Sequence, residues 1–428
     1  MADHRMRKPG QEERERLIFH IDVNSAFLSW ESVYRLRKDP RALDLRTVPA
    51  VIGGDAKSRH GIVLAKSVPA KRFGISTAET LVSARRKCPD LLVVPSRFDI
   101  YLDYSAKLLA LLGEYTPDIE KFSIDEAFLD MTDTIHLFGS PVETADEIRR
   151  RVREELGFTV NVGIAPNKLL AKMASDFEKP DKTHTLFSQE VPQKLWPLPL
   201  RELFFVGGAA AGKLERIGLH TIGDVAACDL RILKAHVGDR YGAMIYQYAW
   251  GRDDSPVAER DPHTKGYGNS ITLPRDVSDL ETAKQVLLAL SETVGARLRR
   301  DQVTCNCVCV ELKDWQFRSQ SHQTTLSIPT DSTGVLYENA CRLLEEFWDL
   351  RPVRLIGLRT TRIQEDGFEQ MSLFETEQDR RRKALEQAVD AIRGKYGVDS
   401  IKRASFLKED ALVDHAVSKR KHLKQEGT

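Results

Sequence analysis

Long apolar runs are missing from this 428-residue chain. None approaches the roughly 20 residues needed to cross a bilayer, and the start Met1-Ala2-Asp3-His4-Arg5 lacks the apolar core of a signal peptide. A cytoplasmic protein with no membrane partner is therefore expected. Cysteine is scarce: six residues, at the irregular positions 88, 228, 305, 307, 309 and 341, do not form a disulfide framework. Cys305, Cys307 and Cys309 alternate, so on a strand they would share one face. The usual zinc spacings carry roughly two to four intervening residues, so packing under a sheet is the preferred reading over a metal site. An excess of one charge is missing too, with 64 basic against 63 acidic residues. A nucleic-acid binder of this composition would have to work through local patches. No repeat on the scale of a whole domain is visible.

What is present is ample apolar content, 41% of residues, enough for roughly two to four packed domains. Residues 1–16 are charged and aperiodic, as in a mobile arm. Helical periodicity appears at 27–38, 101–113, 143–156 and 168–177, between strand-like runs at 48–53, 62–65 and 158–164. This alternation predicts a first α/β or α+β region of about 175 residues. Glycine-punctuated helices follow over 197–251, and the turn-rich stretch 252–264 reads as a linker. A second α+β unit is expected from Lys265 to Gln364, with strands at 303–312 and 355–363 and helices near 281–299 and 332–348. A charged helix is expected over 376–394.

Two places carry unusual chemistry. In Phe122-Ser123-Ile124-Asp125-Glu126-Ala127-Phe128-Leu129-Asp130, two adjacent acids interrupt an apolar run. Leu17-Ile18-Phe19-His20-Ile21 ends in a third acid, Asp22. Buried carboxylates need a cation, a proton or a metal ion. Hard oxygen ligands at strand ends suit Mg²⁺, which favours carboxylates, water and phosphates. Neighbours on a regular strand point to opposite faces, so Asp125 and Glu126 can share a site only near a turn or twist. By themselves these acids fit an arginine-paired structural role as well as a metal site.

The wider context narrows the choice. His20-Ile21-Asp22-Val23-Asn24-Ser25-Ala26-Phe27, Ser123-Ile124-Asp125-Glu126-Ala127-Phe128-Leu129-Asp130 and Val162-Gly163-Ile164-Ala165-Pro166-Asn167-Lys168-Leu169-Leu170-Ala171-Lys172 occur in this order. Together they resemble the Y-family of translesion DNA polymerases, most closely its bacterial DNA polymerase IV branch, over about Leu17 to Phe374. The resemblance implies a right-hand α+β polymerase. Its palm would be 17–26 and 97–175, small fingers 27–96, a helix-hairpin-helix thumb 176–251, a linker 252–264 and an α+β little finger 265–364. A tail, 365–428, would carry a clamp-binding peptide.

It also implies roles for single residues. Asp22, Asp125 and Glu126 match the family's metal-binding carboxylates, with the Val23 carbonyl beside them and two Mg²⁺ ions held between. Glu126 would also help to activate the primer hydroxyl. Phe27 matches the aromatic gate that excludes a ribose 2′-hydroxyl. Lys168 matches a triphosphate-contacting lysine, and Lys71 stands where an arginine is usual, a point charge in place of a bidentate fork. Val68 stands where a phosphate-binding tyrosine is usual. Gly207, Gly208, Gly218 and Gly223 would let thumb turns approach DNA, with Phe205 where a glycine is common. Arg351, Arg354, Arg359 and Arg362 could supply phosphate contacts. Gln370, Leu373 and Phe374, in Gln370-Met371-Ser372-Leu373-Phe374, resemble the peptide that docks on the bacterial sliding clamp. The implied partners are primer-template DNA, a dNTP and that clamp, around a monomeric enzyme. The contrasting expectation, favoured by Val68 and Lys71, is a clamp-tethered DNA-binding accessory protein with little or no polymerase activity.

Overall fold

The computed structural model describes residues 15–54, 61–258, 264–365, 377–397 and 400–406. Gln370, Leu373 and Phe374 of the expected clamp-binding peptide lie outside them, as do residues 1–14 of the expected arm. Contacts divide the chain into two units. The first comprises Met1–Ile52, Leu64–Thr77 and Ala84–Arg260, the second Gly53–Val63, Ala78–Ser83 and Asp261–Thr428. No helix among the described residues is long and apolar enough to cross a membrane.

Twelve strands are present among the described residues: β1 (Ile18–Val23), β2 (Ala50–Gly53), β3 (Val63–Lys66), β4 (Leu92–Pro95), β5 (Ile119–Lys121), β6 (Glu126–Asp130), β7 (Val160–Ala165), β8 (Thr183–Thr185), β9 (Gly266–Val277), β10 (Val303–Asp314), β11 (Ser319–Thr330) and β12 (Val353–Glu365). In the first unit a five-stranded sheet runs β5-β6-β1-β7-β8. It is antiparallel except for the β7–β8 pair. A small sheet, β3-β2-β4, accompanies it.

β1 is the centre of the large sheet, and every one of its residues is buried. Alternation splits its side chains between two cores. Phe19, Ile21 and Val23 pack with the helices Ala26–Lys38, Phe98–Leu112 and Pro141–Arg151. Ile18 packs on the opposite face, where the helix Lys168–Ser175 lies. Four short helices, Gly208–Glu215, Ile222–Ala227, Leu230–Val237 and Asp239–Ala249, extend that second core. Gly207, Gly208 and Gly218 have open space where a side chain would stand. At Gly223 a Cβ would lie 3.0 Å from Trp196, so its smallness serves internal packing.

The second unit carries an antiparallel sheet, β11-β10-β12-β9, under the helices Leu280–Arg300 and Thr333–Phe347. The pairing with β11 loses its regular register between Cys305 and Cys307, and the three cysteines do not share a face as expected. Cys305 joins the helix-side core with Val308, Val310 and Leu312. Cys307 and Cys309 are buried outside it, and all three are free thiols. The helix Glu377–Tyr396 belongs to this unit and packs through charge. Arg299 pairs with Glu386 at 3.0 Å and Asp390 at 2.7 Å, while buried Glu292 is held by Arg393 at 3.3 Å and by Arg403. Phe406 completes the core beneath.

Candidate active site

The register of the large sheet brings two of the acids together. Asp22, the next-to-last residue of β1, is the Cα partner of Glu126 on one side and of Asn161 on the other. Paired residues of an antiparallel sheet project to the same face, so Glu126, Asp22 and Asn161 form one polar row. Asp125 sits in the turn just before β6 and is therefore free of the strand's alternation. Its carbonyl accepts from the Val23 amide at 3.1 Å, and its carboxylate accepts from the Ser123 hydroxyl at 2.6 Å. The turn that Asp125 and Glu126 needed in order to share a site is present.

The helix Lys168–Ser175 covers the row because of one glycine. A Cβ at Gly163 would lie 2.0 Å from the Ala171 carbonyl oxygen and 2.6 Å from the Ser175 nitrogen, so no larger residue permits this approach. Lys172 on that helix reaches Glu126 at 2.7 Å and Asp22 at 3.8 Å. A second ammonium arrives from the loop after the helix: Lys179 lies 3.0 Å from Asp22 and 2.7 Å from Asp176. Neither lysine was among the expected site residues. The only sequence signal for Lys172 is its place one helical turn after Lys168, and Lys179 has none beyond lying in a charged, proline-containing loop.

The electrostatics separate the two facing acids. Burial pushes the Asp22 carboxyl up to about 7, against the pull of Lys179 and Lys172 and with help from the nearby Glu126 charge. Burial would raise Glu126 as well, but the neighbouring His20 ring and the charge of Lys172 bring it down to about 2. Burial lowers His20 to about 4, so its ring is neutral at pH 7 and its 3.7 Å approach to Glu126 is not an ion pair. The ring nitrogen Nδ1 is 2.7 Å from the Ser175 hydroxyl.

Among the described residues no three His, Cys, Asp or Glu side chains stand converged as metal ligands. The donor set nevertheless fits a hard divalent cation. Its ligands would be carboxylate and carbonyl oxygens, and a carboxyl held up near 7 marks a place where one more positive charge would be stabilised.

Other expected site residues lie elsewhere. Lys168 donates through its ammonium to buried Glu120 on β5 at 2.6 Å and stands 5.1 Å from the Phe128 ring centroid. Phe27 is half-buried and stacks on Tyr101, with ring centroids 4.8 Å apart and planes 14° from parallel. Phe98 meets it edge-on at 5.5 Å. Lys71 and Val68 are exposed on the short helix Val68–Arg72. Phe205, in the first helical turn region, holds a left-handed backbone at φ 66° and is exposed, its carbonyl bound by the Tyr241 hydroxyl at 2.7 Å.

Residues 21–176 match the impB/mucB/samB family and residues 264–373 its C-terminal domain. Residues 202–253 match a domain described as the thumb of DNA polymerase-iota. A Clostridium acetobutylicum protein named DNA polymerase IV is 44% identical over 395 residues, which is 92% of this chain and 99% of that protein. DNA polymerase IV 1 of Bacillus subtilis is 38% identical over 400 residues, covering 93% and 94%. A solved Y-family DNA polymerase chimera shares the fold, with a TM-score of 0.70 over 81% of this chain and 99% of its own at 24% identity. With relatives of this identity along nearly its whole length, the chain belongs to the impB/mucB/samB family of Y-family DNA polymerases.

Proposed function

We propose that the protein is a DNA-directed DNA polymerase of the translesion type, transferring a nucleotide from a dNTP to a primer 3′-hydroxyl. The observation that carries this reading is the polar row. Asp22 and Glu126 face one another across two strands, Asp125 enters at the adjoining turn, and two lysines stand over them.

Asp22, Asp125, Glu126 and the Val23 carbonyl would hold two Mg²⁺ ions. Bound there, such ions supply a lowered pKa for the attacking hydroxyl and charge relief for the triphosphate. Glu126, fully ionised well below neutral pH, can accept a hydrogen bond from the primer hydroxyl and orient it. Lys179 and Lys172 pair with Asp22 and Glu126, and the same ammonium groups would stand within reach of triphosphate oxygens. Lys71, exposed on its short helix, adds a point charge for phosphate. The Phe27 ring, locked between Tyr101 and Phe98, is stiff enough to reject a 2′-hydroxyl by overlap.

In domain terms the large sheet is the palm, the small sheet the core of the fingers, the four short helices the thumb, and the second unit's sheet the little finger. Exposed Arg351, Arg359 and Arg362 would contact DNA phosphates. The sliding clamp is the partner proposed for Gln370, Leu373 and Phe374, and the enzyme acts as a monomer. The deciding experiment is primer extension with Mg²⁺ on undamaged and abasic templates. The wild-type chain should extend both, while Asp125→Ala and Glu126→Ala should abolish extension and leave DNA binding nearly unchanged. Full extension by either variant sinks the assignment. A wild-type chain that binds DNA yet extends neither template would instead be the non-catalytic accessory protein.

A further inference from the structure

Lys179 reaches Asp22 from a loop, and a loop by itself is a poor platform for a single charge. Here the loop is fastened by two buried amides. Asn161, fully buried in β7 and the cross-strand neighbour of Asp22, donates through Nδ2 to the Ser175 carbonyl at 3.0 Å and the Glu178 carbonyl at 2.7 Å. Its Oδ1 accepts from the Lys182 amide at 3.3 Å and from Asn24 Nδ2 at 3.1 Å. Asn24, directly after β1, uses its own Oδ1 to accept the Asp181 amide at 2.9 Å. The two side chains thus bind backbone groups at 175, 178, 181 and 182, on both sides of Lys179.

Two arginines complete the fastening from outside. Arg149 Nε lies 3.1 Å from Asp181 Oδ1, and its guanidinium also donates to the Asp181 carbonyl. Arg153 lies 2.6 Å from Asp181 Oδ2. Asp181 itself has a left-handed backbone, φ 58°, a conformation that aspartate adopts more readily than most residues.

We infer that the Asn24–Asn161 amide pair is a positioning device for nucleotide binding: it fixes the segment 175–182 so that the Lys179 ammonium stands beside the acid row, where a triphosphate would arrive. Amides suit the task because they bind both carbonyls and amides of the loop while adding no charge next to Asp22. A carboxylate at 161 would face two carbonyl oxygens and repel Asp22. The inference rests on the polymerase reading above, and it concerns residues that touch neither substrate nor primer.

The test is a double-variant cycle on the full chain. A non-reactive dNTP analogue is titrated onto the protein bound to primer-template DNA, and KM and kcat are measured alongside. Asn161→Ala should weaken analogue binding and raise KM about tenfold, the size of one lost charged contact, with kcat changed much less. Lys179→Met should do the same. Because the amides act through Lys179, Asn161→Ala should add almost nothing in the Lys179→Met background. Asn24→Ser, which disturbs only the Asp181 attachment and the amide pair, gives a milder version and covers the case in which Asn161→Ala fails to fold. Multiplicative losses in the double variant, or unchanged analogue affinity in both asparagine variants, would overturn the inference. Those results differ from failure of the polymerase reading itself, in which the wild-type chain would neither bind the analogue nor extend a primer.

Discussion

Lys172→Met removes the ammonium that bridges the two facing acids while keeping most of the side chain's length. That ammonium lies 2.7 Å from Glu126 and 3.8 Å from Asp22, attractions of roughly 6 and 4 kcal/mol at an effective dielectric of about 20, before desolvation is subtracted. Lys172 is buried, so desolvation takes back a large share. The net loss should fall near 3–5 kcal/mol, the range for breaking a buried pair and stranding its partner. For a unit of this size that lowers Tm by roughly 6–20 °C.

The loss should also depend on pH. The Asp22 carboxyl is raised to about 7 from 3.8, so it favours the folded state at low pH, and that contribution fades as pH rises through 7. Without Lys172, ionising Asp22 beside an already charged Glu126 becomes costlier. The variant should therefore lose more against the parent at about pH 8 than at about pH 5. Calorimetry at the two pH values reads this directly. A loss under about 1 kcal/mol, or an equal loss at both pH values, would refute the view that the ammonium holds the carboxylates together.

Phe27→Ala should admit ribonucleotides, cutting the deoxy-over-ribo ratio of kcat/KM by roughly tenfold or more, and an unchanged ratio would remove Phe27 as the gate. Ending the chain at Thr376 would remove both acidic partners of Arg299 and uncover the Phe406 site, so the second unit should lose about 3–5 kcal/mol in urea unfolding. His20 is depressed to about 4 by burial, so its contribution is present above its ordinary 6.5 and lost as pH falls from there through 4. His20→Gln should flatten the fall in Tm over that window, and an equally steep fall would show that another group is responsible.

Much of the fold was legible because its strands and helices are strongly patterned. The helices expected at 27–38 and 281–299 are found at Ala26–Lys38 and Leu280–Arg300, where apolar periodicity is strong. β11 escaped notice for the opposite reason. It is an edge strand whose Ser319–Thr330 residues are nearly all exposed, so no buried face imposes an apolar alternation. The register shift between β10 and β11 was equally hidden, since it leaves the string of cysteines and valines unchanged.

For the site, the sequence by itself pointed to three acids as candidates. Carboxylates at the ends of apolar strands demand compensation wherever the chain folds, and Asp22, Asp125 and Glu126 stand out on that ground alone. What supplies the compensation was decided only in three dimensions. Lys168 was claimed by Glu120, 48 residues upstream, and Lys179 was delivered to Asp22 by amides at 24 and 161. Ion pairs and loop fastenings join residues far apart in the chain, whereas apolar periodicity is local. The first can be read only from the packed structure, and the second is written along the strand itself.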